Sequence, residues 1–176
     1  MTSLVLTLIG ADRPGLVEAL AGAVAAHGGN WLESRMAHLA GQFAGILRVE
    51  VEDANAGALT AALEALEGRG LRVQVQPAGA EPVPGPYRAL RVELEGLDRP
   101  GLVREIAQVL AERGVNIEEL VTDRLVAPMS GEAIFHSRAW VLVPTSVDPD
   151  ELRRRLERLA QDLMVQVNLA QQDEIG

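Results

Sequence analysis

A phrase of eight residues occurs twice in the chain and constrains its fold more than any other feature. Residues 10–17 read GADRPGLV and residues 96–103 read GLDRPGLV, so the second copy follows the first by 86 positions. The likeness continues downstream at two further pairs of positions, Gly28 with Gly114 and Asn30 with Asn116. Self-similarity at a fixed spacing over half of the chain indicates that one structural unit was duplicated.

The chain length agrees with two small domains. Each repeat accounts for about half of the 176 residues, and a domain of that size buries only about 60–65% of the surface that its unfolded chain exposes. Such a unit is marginally stable alone. We therefore expect each unit to gain stability by packing on its sibling or on another chain, and we expect a homodimer.

The composition is that of a globular protein with an acidic surface. Hydrophobic residues make up 48% of the chain and charged residues 23%, and the formal net charge is −9. Direct binding to nucleic acid requires a basic face, so this charge argues against it. The chain has no cysteine, which is typical of a reducing compartment, and neither a secretory leader nor a run of about 20 apolar residues is evident. These features predict a cytoplasmic protein without a membrane partner.

Each half of the chain is predicted to follow the order β-α-β-β-α-β. In the first half, the apolar pattern predicts four strands, at residues 4–9, 31–37, 43–51 and 71–76. Pro14 fits the first turn of the first helix, and Asp53 and Asn55 are candidate caps of the second. A four-stranded antiparallel sheet with both helices on one face satisfies this order. The predicted fold class is therefore α+β, with two ferredoxin-like units.

A proline-rich segment separates the two predicted domains. Residues 77–86 contain four prolines and two glycines, a composition typical of a semi-rigid linker. We therefore divide the chain into a first domain (1–78), a linker (79–86) and a second domain (87–172). In the second domain the reversal between the middle strands is longer, and Asp148 is followed by a proline and acidic residues that predict a helix start.

The predicted sheet face opposite the helices differs between the two halves. On the first strand, this face carries Val5, Thr7 and Ile9 in the first unit and Arg91, Glu93 and Glu95 in the second. A sheet face that meets water normally carries polar residues. The apolar positions of the first unit therefore predict that its face is partly covered, by a partner protomer or by the sibling unit.

The repeated phrase lies where a strand is followed by the N-terminus of a helix, a position that favours anion binding. The first N–H groups of a helix have no acceptor within the helix, and the helix dipole favours negative charge there. Gly15 and Gly101 lack a Cβ, so a small anionic group such as the carboxylate of a free amino acid can approach the main chain. Asp12 and Asp98 are candidate acceptors for its ammonium group.

Asn30 and Asn116 follow the first helix of each unit, at the entry to the next strand. An amide side chain both donates and accepts hydrogen bonds, so it can bind either end of an amino acid. The same residues also have a purely structural interpretation, in which Asp caps the helix, Pro starts it, Gly packs closely and Asn forms a turn. The residue chemistry alone leaves both interpretations open.

Two β-α-β-β-α-β units, each with Asp-Arg-Pro-Gly-Leu-Val after its first strand and Asn at its second, resemble ACT domains. The resemblance covers nearly the whole chain. ACT domains are regulatory modules that bind small ligands, usually amino acids, commonly at interfaces between paired domains. The tandem arrangement, with Ala-Pro-Met-Ser-Gly at 127–131 followed by Phe135, is similar to the glycine cleavage system transcriptional repressor family.

The resemblance implies two ligand sites, one for each repeat. The implied ligand-binding residues are Asp12, Arg13, Gly15 and Asn30 in the first unit and Asp98, Arg99, Gly101 and Asn116 in the second. Trp31 stands where the family favours a medium aliphatic residue such as Ile117, so its indole is expected to narrow the first pocket and to leave the second site more promising. No catalytic residue, cofactor or metal site is expected, because the three histidines are dispersed and no nucleophilic set is evident.

The function implied by the resemblance is that of a non-enzymatic regulator that binds a small amino acid, with glycine as a candidate. It would modulate a protein partner, either a DNA-binding regulator or an enzyme, so any transcriptional role in glycine cleavage would be indirect. Two alternatives remain open. An RNA-binding module of the same topology would need aromatic residues on the open sheet face, and aromatics make up only 3% of the chain. A small ferredoxin-like hydrolase would use Arg13 and Asn30.

Overall fold

The chain forms two compact units, Met1–Glu81 and Pro82–Gly176. The computed structural model describes residues 1–79, 85–127, 130–163 and 165–171. Each unit has the order β-α-β-β-α-β that the sequence predicts. Residues 80–84, which belong to the predicted linker, lie outside the described residues, as do Pro128 and Met129 of the longer reversal.

The first unit is a four-stranded antiparallel sheet with two α-helices and one 3₁₀ helix. Its elements are β1 (Thr2–Ala11), α1 (Leu16–Ala26), β2 (Asn30–Leu39), β3 (Gln42–Val51), α2 (Asp53–Glu64), a 3₁₀ helix (Ala65–Arg69) and β4 (Leu71–Pro77). The strand order is β2-β3-β1-β4, so β2 and β4 are the edges. The strands are longer than the apolar pattern predicts, because backbone pairing continues beyond the apolar run at one or both ends of each strand.

The second unit repeats this arrangement without the 3₁₀ helix. Its elements are β5 (Tyr87–Leu97), α3 (Leu102–Ala111), β6 (Asn116–Val126), β7 (Ala133–Pro144), α4 (Pro149–Leu163) and β8 (Val165–Gln171). The strand order is β6-β7-β5-β8, and all the pairings of both sheets are antiparallel. None of the helices in the described ranges is long and apolar enough to cross a membrane.

The core of each unit lies between one face of its sheet and its helices. In the first unit, alternate residues of β1 are buried against leucines of both helices: Leu4, Leu6 and Leu8 from the strand, Leu16 and Leu20 from α1, and Leu59 and Leu63 from α2. Leu90 and Val92 of β5 meet Leu110, Leu152 and Leu156 in the same way in the second unit. Burying one such side chain contributes roughly 1.5–3 kcal/mol, so this face holds each unit together.

Two predicted helix starts are wrong and one is confirmed. Pro14 precedes the N-cap of α1, which is Gly15, and the N-cap of α2 is Glu52, without a side-chain bond. Asp53 instead accepts a hydrogen bond from the Thr2 hydroxyl at 2.7 Å, and this bond is the main reason why the pKa of its carboxyl is lowered. Asp148 does cap α4, because its Oδ1 accepts from the Asp150 N–H at 3.0 Å.

The sheet face opposite the helices is exposed within the first unit. Ile9 is 47% exposed and Ile46, which pairs with Thr7 beside it, is 48% exposed. The predicted covering of this face concerns an assembly, so it stays a prediction. On the equivalent face of the second unit, Trp140 is paired with Arg91, away from the helices.

Candidate functional site

The two copies of the repeated phrase form the same backbone turn. Gly15 and Gly101 are the N-caps of α1 and α3, with φ of 90° and 94°. This is the left-handed region, which a residue with a Cβ enters at a cost of roughly 1–2 kcal/mol. Each turn is also tied to the sheet, because the N–H of Asp12 bonds the Gly41 carbonyl at 2.9 Å and that of Asp98 bonds the Ala133 carbonyl at 2.8 Å. Part of the phrase therefore has a structural cause.

The aspartate of each phrase contacts a basic side chain on the edge strand two positions away in the sheet and caps no helix. Asp12 Oδ2 lies 3.6 Å from Nε2 of His38 on β2, and Asp98 Oδ2 accepts from Nε of Arg124 on β6 at 2.7 Å. His38 and Arg124 occupy equivalent positions, 86 residues apart. The duplicated units thus keep this contact with a titratable partner in one and a permanent cation in the other.

The arginines of the two phrases have different partners. Arg99 Nη2 lies 3.2 and 3.0 Å from the two carboxylate oxygens of Glu105, on the first turns of α3. Arg13 Nη2 instead donates to the backbone carbonyl of Arg69, at the end of the 3₁₀ helix. Among the described residues, no carboxylate lies within ion-pair distance of Arg13. The second arginine is therefore neutralised locally and the first is not.

The two asparagines lie at the opposite end of their sheets from the aspartates. Asn30 is in register with Ser3 through Glu50 on β3, whereas Asp12 follows the last residue of β1. The nine residue steps from Ser3 to Asp12 span about 30 Å along the strand. The second unit shows the same separation, because Asn116 is in register with Ala89 through β7. One unit therefore does not bring its own aspartate and asparagine into one site, which corrects the grouping implied by the resemblance.

Two side chains at the asparagine ends, Asn116 and Trp31, have contacts that the sequence does not predict. The Asn116 amide donates to the Glu118 carboxylate within β6. Trp31 pairs with Val49 and packs against the core of the first unit. Because Trp31 lies at the asparagine end, it does not narrow the space around Arg13 and Gly15 of its own unit, and the predicted crowding of a site completed by a second copy stays a prediction.

A cavity of about 570 Å³ lies beside the first phrase, between the N-terminal half of α1 and the 3₁₀ helix. We call it the α1 cavity. Its lining residues include the charged side chains Arg13, Glu18 and Arg69 and the small residues Ala19, Gly22 and Ala23. A volume of this size falls in the range of about 300–1,000 Å³ that small-molecule sites occupy.

The α1 cavity follows from two local differences between the repeats. The residues of α3 equivalent to Ala19, Gly22 and Ala23 are Glu105, Gln108 and Val109, which are all larger. In addition, α2 is followed by a 3₁₀ helix that supplies the Arg69 wall, whereas only residue 164 separates α4 from β8. Among the described residues, the larger space therefore lies beside the phrase of the first unit, although the sequence analysis favours the second site.

Glu18 and Arg69 are the charged residues of this region that the sequence analysis missed. Glu18 lies on the first turn of α1 next to the phrase, and Arg69 precedes Gly70, whose φ of 78° turns the chain into β4. The small residues at positions 19, 22 and 23 were a readable signal, because they share one face of a helix and leave space there. Within the described ranges no group of three or more His, Asp or Glu side chains could hold a metal ion.

Comparisons with known proteins assign a family to both units. Residues 2–76 match one sequence model described as an ACT domain, and residues 90–161 match another with the same description. The two matches cover most of the chain: the first includes all four strands of its sheet, and the second includes β5, β6 and β7 and ends before β8.

Two curated relatives and one solved structure span nearly the full length. The chain is 29% identical over 178 aligned positions to the glycine cleavage system transcriptional repressors of Escherichia coli (strain K12) and Shigella flexneri, covering 97% of this chain and 93% of theirs. A crystal structure of an unknown protein from Galdieria sulphuraria shares 30% identity and superposes with a TM-score of 0.87, covering 98% of this chain and 99% of the other.

Proposed function

We propose that this chain, which belongs to the ACT domain family in both of its units, is a regulator that binds a small free amino acid and thereby changes its association with another protein. The family and the full-length similarity to repressor proteins support a regulatory, ligand-binding role. The identity of the amino acid and of the partner protein belong to the proposal. Glycine is the first candidate ligand, because the curated relatives are named for glycine cleavage.

The observation that carries the proposal is the pair of turns at Gly15 and Gly101. Each turn places the free N–H groups of a helix N-terminus beside a glycine without a Cβ. An aspartate lies next to the turn, just after the end of the central strand β1 or β5. These groups match the carboxylate and the ammonium group of an amino acid. The eight residues Asp12, Arg13, Gly15, Asn30, Asp98, Arg99, Gly101 and Asn116 remain the proposed ligand contacts.

We propose that each of these sites is completed by a second copy of the chain. The asparagine end of a unit is about 30 Å from its own turn, but it lies on an edge strand. An edge strand has unpaired backbone groups that a second sheet edge can meet. Two copies that meet antiparallel along such an edge would bring the turn of one domain next to the asparagine of the other. Ligand binding would then favour the paired state by its differential affinity.

A transcriptional role would be indirect. The net charge of −9 opposes direct DNA binding. The basic residues of α4 are flanked by acidic ones. Arg153, Arg154 and Arg155 each pair with a carboxylate of the same helix or its cap. The partner that we propose is therefore a protein, a DNA-binding regulator or an enzyme.

The test is isothermal titration calorimetry of the full chain against the twenty amino acids. We expect one small amino acid to bind, and Asn30→Ala and Asn116→Ala to weaken binding about fivefold or more, because each removes a hydrogen-bonding group. Asn55→Ala, on the exposed start of α2, is the matched control. If no amino acid binds, the proposed function is wrong. If glycine fails and a larger amino acid binds in a way that the two Asn substitutions weaken, only the choice of glycine is wrong.

A further inference from the structure

We propose that the α1 cavity is a second kind of site, which binds an α-amino acid with an aliphatic side chain. Arg13 and Arg69 would bind the carboxylate of this amino acid, and Glu18 would bind its ammonium group. The inference rests on the proposed function, because it names a ligand class and a location within one unit. It differs from the turn sites in needing no residue of a second copy.

The carboxylate end of the proposed site is held in place by the backbone. Arg13 Nη2 donates to the carbonyl of Arg69 and lies 3.8 Å from the position that a Cβ on Gly70 would occupy. This contact uses one of the five N–H donors of the Arg13 guanidinium and leaves the others for a ligand. A planar guanidinium matches a carboxylate with two parallel hydrogen bonds. Arg13 is thus oriented before any ligand arrives.

The charge of the lining favours a zwitterion over a simple anion. Two arginines and one glutamate line the cavity, and in the described part of the chain no ion pair joins any of these three side chains to another residue. Glu18 lies beside the helix N-terminus, with Oε2 3.9 Å from the position of a Cβ on Gly15. A phosphate would meet this carboxylate as a like charge, whereas the ammonium group of an amino acid would be attracted to it.

The remaining lining is apolar and favours an aliphatic side chain. Leu16, Leu66 and Leu71 line its base and are themselves almost fully buried. Glycine would fill only a small part of about 570 Å³. The side chain of leucine or valine would fill more of this space and would itself be removed from water, and this burial of the ligand's apolar surface favours the larger ligand.

The first part of the test compares ligands by calorimetry on the full chain. In a background that carries Asn30→Ala and Asn116→Ala, which weaken the turn sites, we expect L-leucine to bind at least about tenfold more tightly than glycine. Two analogues of leucine separate the charged contacts: 4-methylpentanoate lacks the ammonium group and 3-methylbutylamine lacks the carboxylate. Each should bind at least about tenfold more weakly than leucine, because each loses a charge-assisted hydrogen bond. Equal binding of leucine and glycine would overturn the inference.

The second part uses variants that change the α1 cavity without touching the turns. Gly22→Leu fills it from an open helix position, where a Cβ meets nothing within 4 Å. Gly57→Leu is the matched control, because Gly57 lies equally open on α2 and does not line the cavity. Arg69→Ala removes one guanidinium but keeps the carbonyl that orients Arg13. Its control is Arg72→Ala, on the opposite face of β4, where Arg72 pairs with Glu67.

The expected result is that Gly22→Leu and Arg69→Ala weaken leucine binding at least about tenfold, while both controls bind as the wild type does. Thermal unfolding of each variant shows that the fold is intact. If an amino acid binds but these two variants do not weaken it, the α1 cavity is not its site and the proposed function stands. If none of the twenty amino acids binds the wild type, both proposals are wrong.

Discussion

Gly10 is a residue at which the structure leaves no room for a side chain. It lies near the end of β1, opposite Leu71 on β4, and a Cβ built on it would lie 2.3 Å from the carbonyl oxygen of Gly70. The obstacle is backbone, which cannot move aside as a flexible side chain can. The same turn at Gly70 supports Arg13, so the packing of Gly10 also sets the wall of the α1 cavity.

Gly10→Ala should therefore destabilise the first unit by roughly 1–3 kcal/mol through overpacking. Gly57→Ala is the control, and it should stabilise the protein by up to about 1 kcal/mol because its helix position is open. Each unit has one tryptophan, so urea unfolding of a Trp140→Phe background follows the first unit through Trp31. An unfolding free energy unchanged by Gly10→Ala would contradict the geometry at this position.

The sequence places Gly15 and Gly101 at strand-to-helix junctions, where the structure has them with a left-handed φ that the sequence pattern did not specify. The partners His38, Arg124 and Arg69 come from strands and turns distant along the chain. No local pattern encodes such a contact. The offset of 86 residues between His38 and Arg124 does not by itself indicate that they face Asp12 and Asp98.

Among the helices, α4 has a side-chain cap and α2 does not. Asp148 satisfies the Asp150 N–H at the start of α4, whereas Glu52 makes no capping bond at the start of α2. The acidic residue that follows in α4 does not complete a capping box. Glu151 pairs with Arg113 of the neighbouring helix end and with Arg155 one turn on, so it joins the helices of the second unit.

Asp148→Ala should destabilise the second unit by about 1 kcal/mol, since it leaves a helix N–H without its acceptor. Glu52→Ala at the N-cap of α2 should change stability by less than about 0.5 kcal/mol. Urea unfolding in a Trp31→Phe background follows the second unit through Trp140. Equal effects of the two substitutions would show that the Asp148 bond does not stabilise α4.

The order of the elements by itself fixes which ends of the strands lie together. In a β-α-β segment the helix returns along the sheet, so the residue that ends the first strand and the residue that starts the second lie at opposite ends. Asp12 and Asn30 are such a pair, and their separation was predictable from topology. The α1 cavity was harder to predict, because it depends on a 3₁₀ segment at 65–69 that the leucine spacing does not distinguish from the helix before it.

For the whole molecule, the open sheet face of the first unit provides a test of assembly. Ile9 and Ile46 are about half exposed, while the equivalent strand of the second unit carries Glu95 at the position of Ile9. Apolar residues on a water-facing sheet indicate a contact surface. We expect a second copy of the chain to cover this face, as a contact additional to the one that we propose along an edge strand.

Ile9→Glu should therefore shift the protein from dimer to monomer, because it places a charge on the face that the second copy is expected to cover, without disturbing the core. Sedimentation velocity over a range of concentrations measures this shift, and Glu95→Gln on the second unit is the control. We expect the variant dimer to dissociate at least about tenfold more readily. A wild-type protein that is monomeric at all concentrations, or a variant that dimerises as well as the wild type, would contradict the predicted covering by a partner protomer.

The length of β1 has a consequence for how the protein would respond to its own abundance. A turn site that needs an asparagine from another copy obeys mass action in protein as well as in ligand, so dilution alone would release the bound amino acid. The cellular level of the chain would then set the amino-acid concentration at which it switches. The α1 cavity, complete within one unit, would keep the same half-saturation point at any dilution. Titrations at two protein concentrations would therefore assign each binding event to its site.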